Sequence, residues 1–185
     1  VNAQIFQTNG VEVNNEGKVT SYFGNDSLVS IPDYARIDNK DGTYTVVKVT
    51  DLSEEAFQGN ENITGVKLSK FIDTIPANAF KGCKNLWDIL ASASSIGDNA
   101  FADCPLLDDW SLSSAVKDLG NNSFGGAKYL TVNAANEGVV KSAVKSGAEN
   151  IIIGLSAMKD PSGGNGSSEW TYSLDNTTLE IPEGT

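Results

Sequence analysis

Apolar residues recur along the middle of this chain in a fixed order. Phe57, Phe80, Phe101 and Phe124 are 23, 21 and 23 residues apart, and each follows a small residue, Ala56, Ala79, Ala100 or Ser123. Leu52, Ile75, Ile96 and Leu119 stand four positions before those small residues. Ile63, Leu86, Leu107 and Leu130 stand six positions after the phenylalanines, and Val66, Ile89 and Trp110 three further on, with Val132 one position early in the last copy. A period of this length marks a stack of coils, because one short unit cannot bury its own apolar face while neighbours can bury one another's. The Leu-x-x-apolar segment predicts a short strand pairing in parallel with the next. The polar-started segment before each phenylalanine predicts one turn of helix on the opposite side. The chemistry of each coil is mostly packing.

Residues 1–50 predict a β-rich N-terminal cap with a degenerate first coil. Val11–Val13 and Lys18–Phe23 flank the turn residues 14–17, and Asp41-Gly42 sits between extended, β-branched flanks as a hairpin signal. Leu28-Val-Ser-Ile31 repeats the Leu-x-x-Ile spacing of Leu86 and Ile89 and reads as that first coil. Residues 51–155 hold the solenoid and its C-terminal cap. There, residues 136–145 show helical periodicity with lysines towards the carboxyl end, followed by a buried strand at 150–154. Residues 156–168 are linker-like in composition. Residues 169–185 predict a trailing β-hairpin turning at Asp175-Asn176, or the start of a further module.

The net charge of −11 supplies no basic surface for phosphate, which excludes nucleic acid as a partner and disfavours anionic membrane. No run of about 18 apolar residues predicts a membrane span. The chain starts at Val1 without a basic-then-apolar leader, which reads as a mature or trimmed segment. With no histidine, Ser-His-Asp and Cys-His systems and histidine-bearing zinc sites are excluded. Asp108-Asp109 could form half of a carboxylate pair, but adjacent strand residues face opposite ways, and solvated surface is the plainer reading. Asp98, Asp103, Asp118 and Asp160 lack a calcium-loop spacing and read as helix-start residues. Cys83 and Cys104 share one slot in adjacent coils and predict small, buried, reduced thiols. Catalytic residues, cofactor and metal are all expected to be none.

The string Ile75-Pro-Ala-Asn-Ala-Phe-Lys-Gly-Cys-Lys-Asn-Leu86 and its neighbour Ile96-Gly-Asp-Asn-Ala-Phe-Ala-Asp-Cys-Pro-Leu-Leu107 resemble the BspA-like (Treponema-type) bacterial leucine-rich repeat. The likeness spans roughly residues 28–154. Asn60 and Ala127 depart from its cysteine, and 91–95 lacks its usual proline and is two residues short. The resemblance implies an α/β, right-handed leucine-rich-repeat solenoid of about four to five coils with a helix-strand exit cap. It implies an exported, extracellular or surface-attached bacterial protein associated with adhesion and with binding a host or neighbouring-cell protein or glycan. It carries no catalytic site.

From the strand alternation, Lys67, Leu90 and Ser111 should line up across the sheet, with Gly65, Asp88 and Asp109 as a second outward row and Trp87 at the edge. That face is the expected ligand surface, weak in a single copy and strengthened by multivalency. Trp110, in the Val66 and Ile89 column, is expected in the core. The alternative function is a structural spacer presenting another domain.

Overall fold

The structure, a computed structural model, describes residues 5–6, 10–133, 136–154, 169–173 and 178–180, with side chains over 10–132 and 136–154. The linker at 156–168, Asp160 and the Asp175-Asn176 turn lie outside the described residues.

Each coil runs through a short back strand, a turn carrying phenylalanine, a front strand and a return to the next back strand. The front strands are Leu28–Ser30, Gly65–Lys67, Asp88–Leu90, Asp109–Ser111, Tyr129–Asn133 and Asn150–Gly154. The back strands Thr74–Ile75, Ser95–Ile96 and Asp118–Leu119 form one parallel ladder in which Ile75, Ile96 and Leu119 share a row. Earlier coils use Lys18–Tyr22 with Asp51–Leu52, also parallel.

The phenylalanine segments are not single helical turns. They are successive β-turns, with Ala79 donating to the Pro76 carbonyl, Lys81 to Asn78 and Cys83 to Phe80. Asn78, Asn99 and Asn122 hold positive φ of 61°, 56° and 55°. One residue in the left-handed region ends a right-handed helix, and asparagine tolerates that conformation better than most side chains. Amides on these turns reach across to the next coil: Phe80 donates to the Ala100 carbonyl, Phe101 to Ser123 and Phe124 to Ser146, each at 2.8 Å. The rings therefore stack. Tyr22 to Phe57, Phe57 to Phe80, Phe80 to Phe101 and Phe101 to Phe124 have centroid separations of 5.3, 5.5, 5.4 and 5.3 Å. All four phenylalanines are buried.

Close approach on the back depends on glycine after the strand. A Cβ on Gly97 would lie 2.6 Å from the Ala77 nitrogen, and one on Gly120 2.4 Å from the Asp98 nitrogen. Neither position accepts a side chain without moving backbone.

Two registers differ from the sequence reading. Val29, rather than Ile31, lies in the row of Val66, and Leu28 pairs with Gly65. Leu130 pairs with Trp110, not with the position of Leu107, and Val132 pairs with Ile153. The last coil omits three residues between its phenylalanine turn and its front strand, so Leu130 enters the strand row directly.

At the amino end Val11–Val13 and Lys18–Tyr22 pair antiparallel, and the hairpin Tyr34–Asp38 with Tyr44–Lys48 buries Ala35 and Ile37. At the carboxyl end the helix Glu137–Ala143 is capped by the Asn136 side chain, which accepts from the Gly138 and Val139 amides. Its Ser142 hydroxyl accepts from the Leu119 amide at 3.0 Å, closing the last back strand. Asn150–Gly154 then pairs with Tyr129–Asn133 in parallel, and Glu169–Ser173 and Thr178–Glu180 extend that sheet antiparallel.

Candidate functional site

The front face is two sheets, not one. Leu28–Ser30, Gly65–Lys67 and Asp88–Leu90 form a three-stranded parallel sheet; Asp109–Ser111 begins a separate five-stranded sheet with Tyr129–Asn133 and Asn150–Gly154. No ladder of backbone hydrogen bonds joins Asp88–Leu90 to Asp109–Ser111. The expected rows therefore hold only in part. Asp88 pairs with Gly65 and Leu90 with Lys67, as the alternation requires, but Asp109 and Ser111 pair with Tyr129 and Thr131 instead.

On the first sheet Lys67, Asp88 and Leu90 are exposed, and Gly65 is buried beneath Leu28. Leu28, Trp87 and Leu90 are 70%, 60% and 62% exposed, large apolar groups that folding leaves in water. A hollow of about 240 Å³ lies over Gly65, bounded among others by Leu28, Lys67, Asp88 and Leu90. A Cβ there would lie 2.9 Å from Leu28 Cδ2, so glycine lets the leucine fold over the strand. Leu28 escapes the sequence reading because Leu-x-x-Ile aligns it with the wrong column; its true partner, Gly65, gives no hydrophobic cue.

Between the sheets lies a second depression of about 170 Å³, lined among others by Ile89, Ala91, Phe101, Trp110, Leu112 and Val116. Trp110 points inward, as expected, but is only half buried. Its ring stacks on Phe101 at 5.6 Å and tilts on Phe124 at 5.7 Å. An indole in a column of valine, isoleucine and leucine takes more room than a strand spacing of about 4.8 Å provides. The neighbouring return is also short: Leu90 reaches the back strand at Ser95, whereas Lys67 reaches Thr74 and Ser111 reaches Asp118. A shortened return draws its strand towards the back while the indole pushes the next one away. The sheet parts between them.

The thiols are free and buried. Each bonds the coil before it, Cys83 Sγ to the Phe57 carbonyl and Cys104 Sγ to the Phe80 carbonyl, both at 3.0 Å. Burial pushes Cys83 up to about 12 and Cys104 up to about 11, the opposite of what a nucleophile needs. Asp98 ties coils rather than starting a helix, its Oδ1 accepting from the Asn121 amide at 2.7 Å, and Asp108 Oδ1 likewise accepts from the Lys128 amide at 3.0 Å. Among the described residues no three acidic or cysteine side chains cluster as metal ligands.

Stacked short coils presenting a strand face define a repeat module, a class that is typically non-catalytic and protein-binding. The chain belongs to the family described as the BspA type leucine rich repeat region, which matches in six copies over residues 18–142. Proteins with this repeat are often surface-exposed; no described helix is long and apolar enough to cross a membrane. Among solved structures, a leucine-rich repeat protein from Bacteroides ovatus is 25% identical with a TM-score of 0.52, covering 75% of this chain and 35% of its own. The chain thus spans about a third of that relative. A leucine-rich repeat protein from Bacteroides capillosus, 24% identical with a TM-score of 0.51, shares the fold over 64% of this chain and 88% of its own. No curated protein matches the sequence.

Proposed function

We propose that this chain is a non-catalytic, adhesin-like binding module of an exported bacterial surface protein, and that it docks a protein partner on its front face. The observation that carries this reading is the hollow over Gly65, rimmed by the exposed Leu28 and Leu90 and by Lys67 and Asp88, with the exposed Trp87 next to Asp88 in the chain. Exposed apolar groups on a rigid sheet, rimmed by charge, have the anatomy of a small protein interface. Gly65, Lys67, Trp87, Asp88 and Leu90 form this site, and Asp109 and Ser111 lie across the gap as its second margin. A face of three strands of three residues each offers little area against the roughly 1,200–2,000 Å² of a stable complex, so one copy binds weakly and arrays bind by multivalency.

The test is capture from a panel of purified host matrix proteins and mucins by the whole chain, its Leu90→Asp variant and its Trp87→Ala variant. Capture of a protein by the wild type, reduced in both variants with unchanged melting curves, is the expected result. A mucin glycan retained in place of any protein would shift the ligand to carbohydrate. Absence of any ligand across the panel would favour the spacer function.

A further inference from the structure

The gap in the front sheet is more than an irregularity, because it combines three features that a bound strand would use. The first is an open edge. In a parallel ladder alternate residues turn their amide and carbonyl to opposite sides. Asp88 donates to the Thr64 carbonyl and the Leu90 carbonyl accepts from Leu68, so Ile89 faces the gap. Across it, Leu112 donates to Thr131 and the Asp108 carbonyl accepts from Tyr129, so Asp109 and Ser111 face the gap. Two rows of strand-competent groups confront each other with no ladder between them.

The second is an apolar slot beneath that edge. Its volume of about 170 Å³ is comparable with the cavity of about 150 Å³ that holds one benzene ring. It opens between Leu90 and Ser111, and its inner wall carries Phe101 and Trp110. It therefore suits one aromatic or large aliphatic side chain, and no more.

The third is charge. Asp88 and Asp109 begin the two strands that flank the gap, both exposed, on a chain whose net charge is −11. On a strand lying in the gap, a side chain dropped into the slot leaves its two sequence neighbours on the front, beside those carboxylates.

We infer that this gap is a docking groove for an extended segment of a partner protein with a basic–bulky apolar–basic pattern. Main-chain groups of the segment bond the edges at Ile89 and Ser111, the apolar side chain fills the slot against Trp110, and the basic neighbours pair with Asp88 and Asp109. This is strand addition, in which backbone bonds supply affinity and one pocket supplies selectivity. It rests on the protein-binding reading above and names the partner's chemistry.

The probe is a fluorescent nine-residue peptide pool, degenerate except for a central phenylalanine between lysines, titrated against the whole chain by anisotropy. Two control pools carry central alanine, or glutamates in place of the lysines. Central alanine is expected to weaken binding at least about tenfold, the loss of one buried side chain. The glutamate pool is expected to bind more weakly than the lysine pool, since its charges meet Asp88 and Asp109. Ala91→Phe, which fills the slot, and Ser111→Pro, which removes an edge donor, are expected to weaken the phenylalanine pool similarly while melting unchanged. Should Ala91→Phe disturb folding, the Trp110 indole proton resonance of the wild type tests the same contact, and it is expected to shift on adding the pool. No binding of the phenylalanine pool, equal binding of the alanine pool, or indifference to Ala91→Phe would overturn the proposal. A panel protein released by Trp87→Ala but retained by Ala91→Phe would do so too, while leaving front-face binding intact.

Discussion

The junction between the coils of Phe80 and Phe101 is regular on one side of the molecule and split on the other. On the back, Ser95–Ile96 pairs in parallel with strands on both sides, and the two rings stack at 5.4 Å with 2° between their planes. On the front, the strands of the same two coils belong to separate sheets. Both sides are built from the same repeat, so periodicity alone does not make a continuous sheet. What differs is the side chain in each inward column: phenylalanine in every coil on one side, and valine, isoleucine, tryptophan and leucine on the other. A uniform column fixes the spacing of coils. A mixed column lets one large residue set a local spacing of its own.

The largest consequence falls on the regular side. Phe101→Ala removes a ring that touches Phe80, Trp110 and Phe124, and should cost about 3–5 kcal/mol. Because each coil rests on its neighbours, the loss should spread beyond one turn and show as a lower melting midpoint. An unchanged melting curve would break the distinction between the two sides. A smaller effect comes from the thiols in the same turns. Near pH 7 they are protonated in both states. As pH rises through the ordinary thiol value of about 9, the unfolded chain releases these protons while the folded chain holds them to about 11 and about 12. Stability is therefore full below pH 9 and falls above it. Denaturant unfolding from about pH 7 to about pH 10 should show that fall, and a Cys83→Ala/Cys104→Ala variant should show less of it. The smallest effect has the opposite sign. Ser123 replaces the alanine of the other coils, and its buried hydroxyl finds no hydrogen-bond partner among the described residues. Ser123→Ala should therefore raise stability by about 1 kcal/mol, a melting shift of roughly 2–4 °C.

The regular side is legible in the sequence because one buried phenylalanine per coil leaves a strict spacing. The exit cap is equally plain, since residues 136–145 change from coil spacing to helical spacing and Asn136 supplies the cap. The front is legible only in part. Its strands and the pairing of Asp88 with Gly65 and Leu90 with Lys67 follow from alternation, yet the extension of those rows to Asp109 and Ser111 does not hold. Two signals point there, the tryptophan in an aliphatic column and the short return at 91–95, but each is individually compatible with a closed sheet. Only together, acting on opposite strands of one junction, do they part it. Leu130 shows the same limit, because counting from Phe124 cannot reveal that three residues of a corner are missing.

Trp110 and the short return together hold the front sheet open, and native-state amide hydrogen exchange reads that opening directly. The Val66 amide, inside the three-stranded sheet, should be protected, and the Ile89 amide, facing the gap, should exchange orders of magnitude faster. In a Trp110→Ile variant the strands should close and the Ile89 amide should gain protection comparable with Val66. An Ile89 amide already protected in the wild type, or one left equally fast by Trp110→Ile, would contradict it.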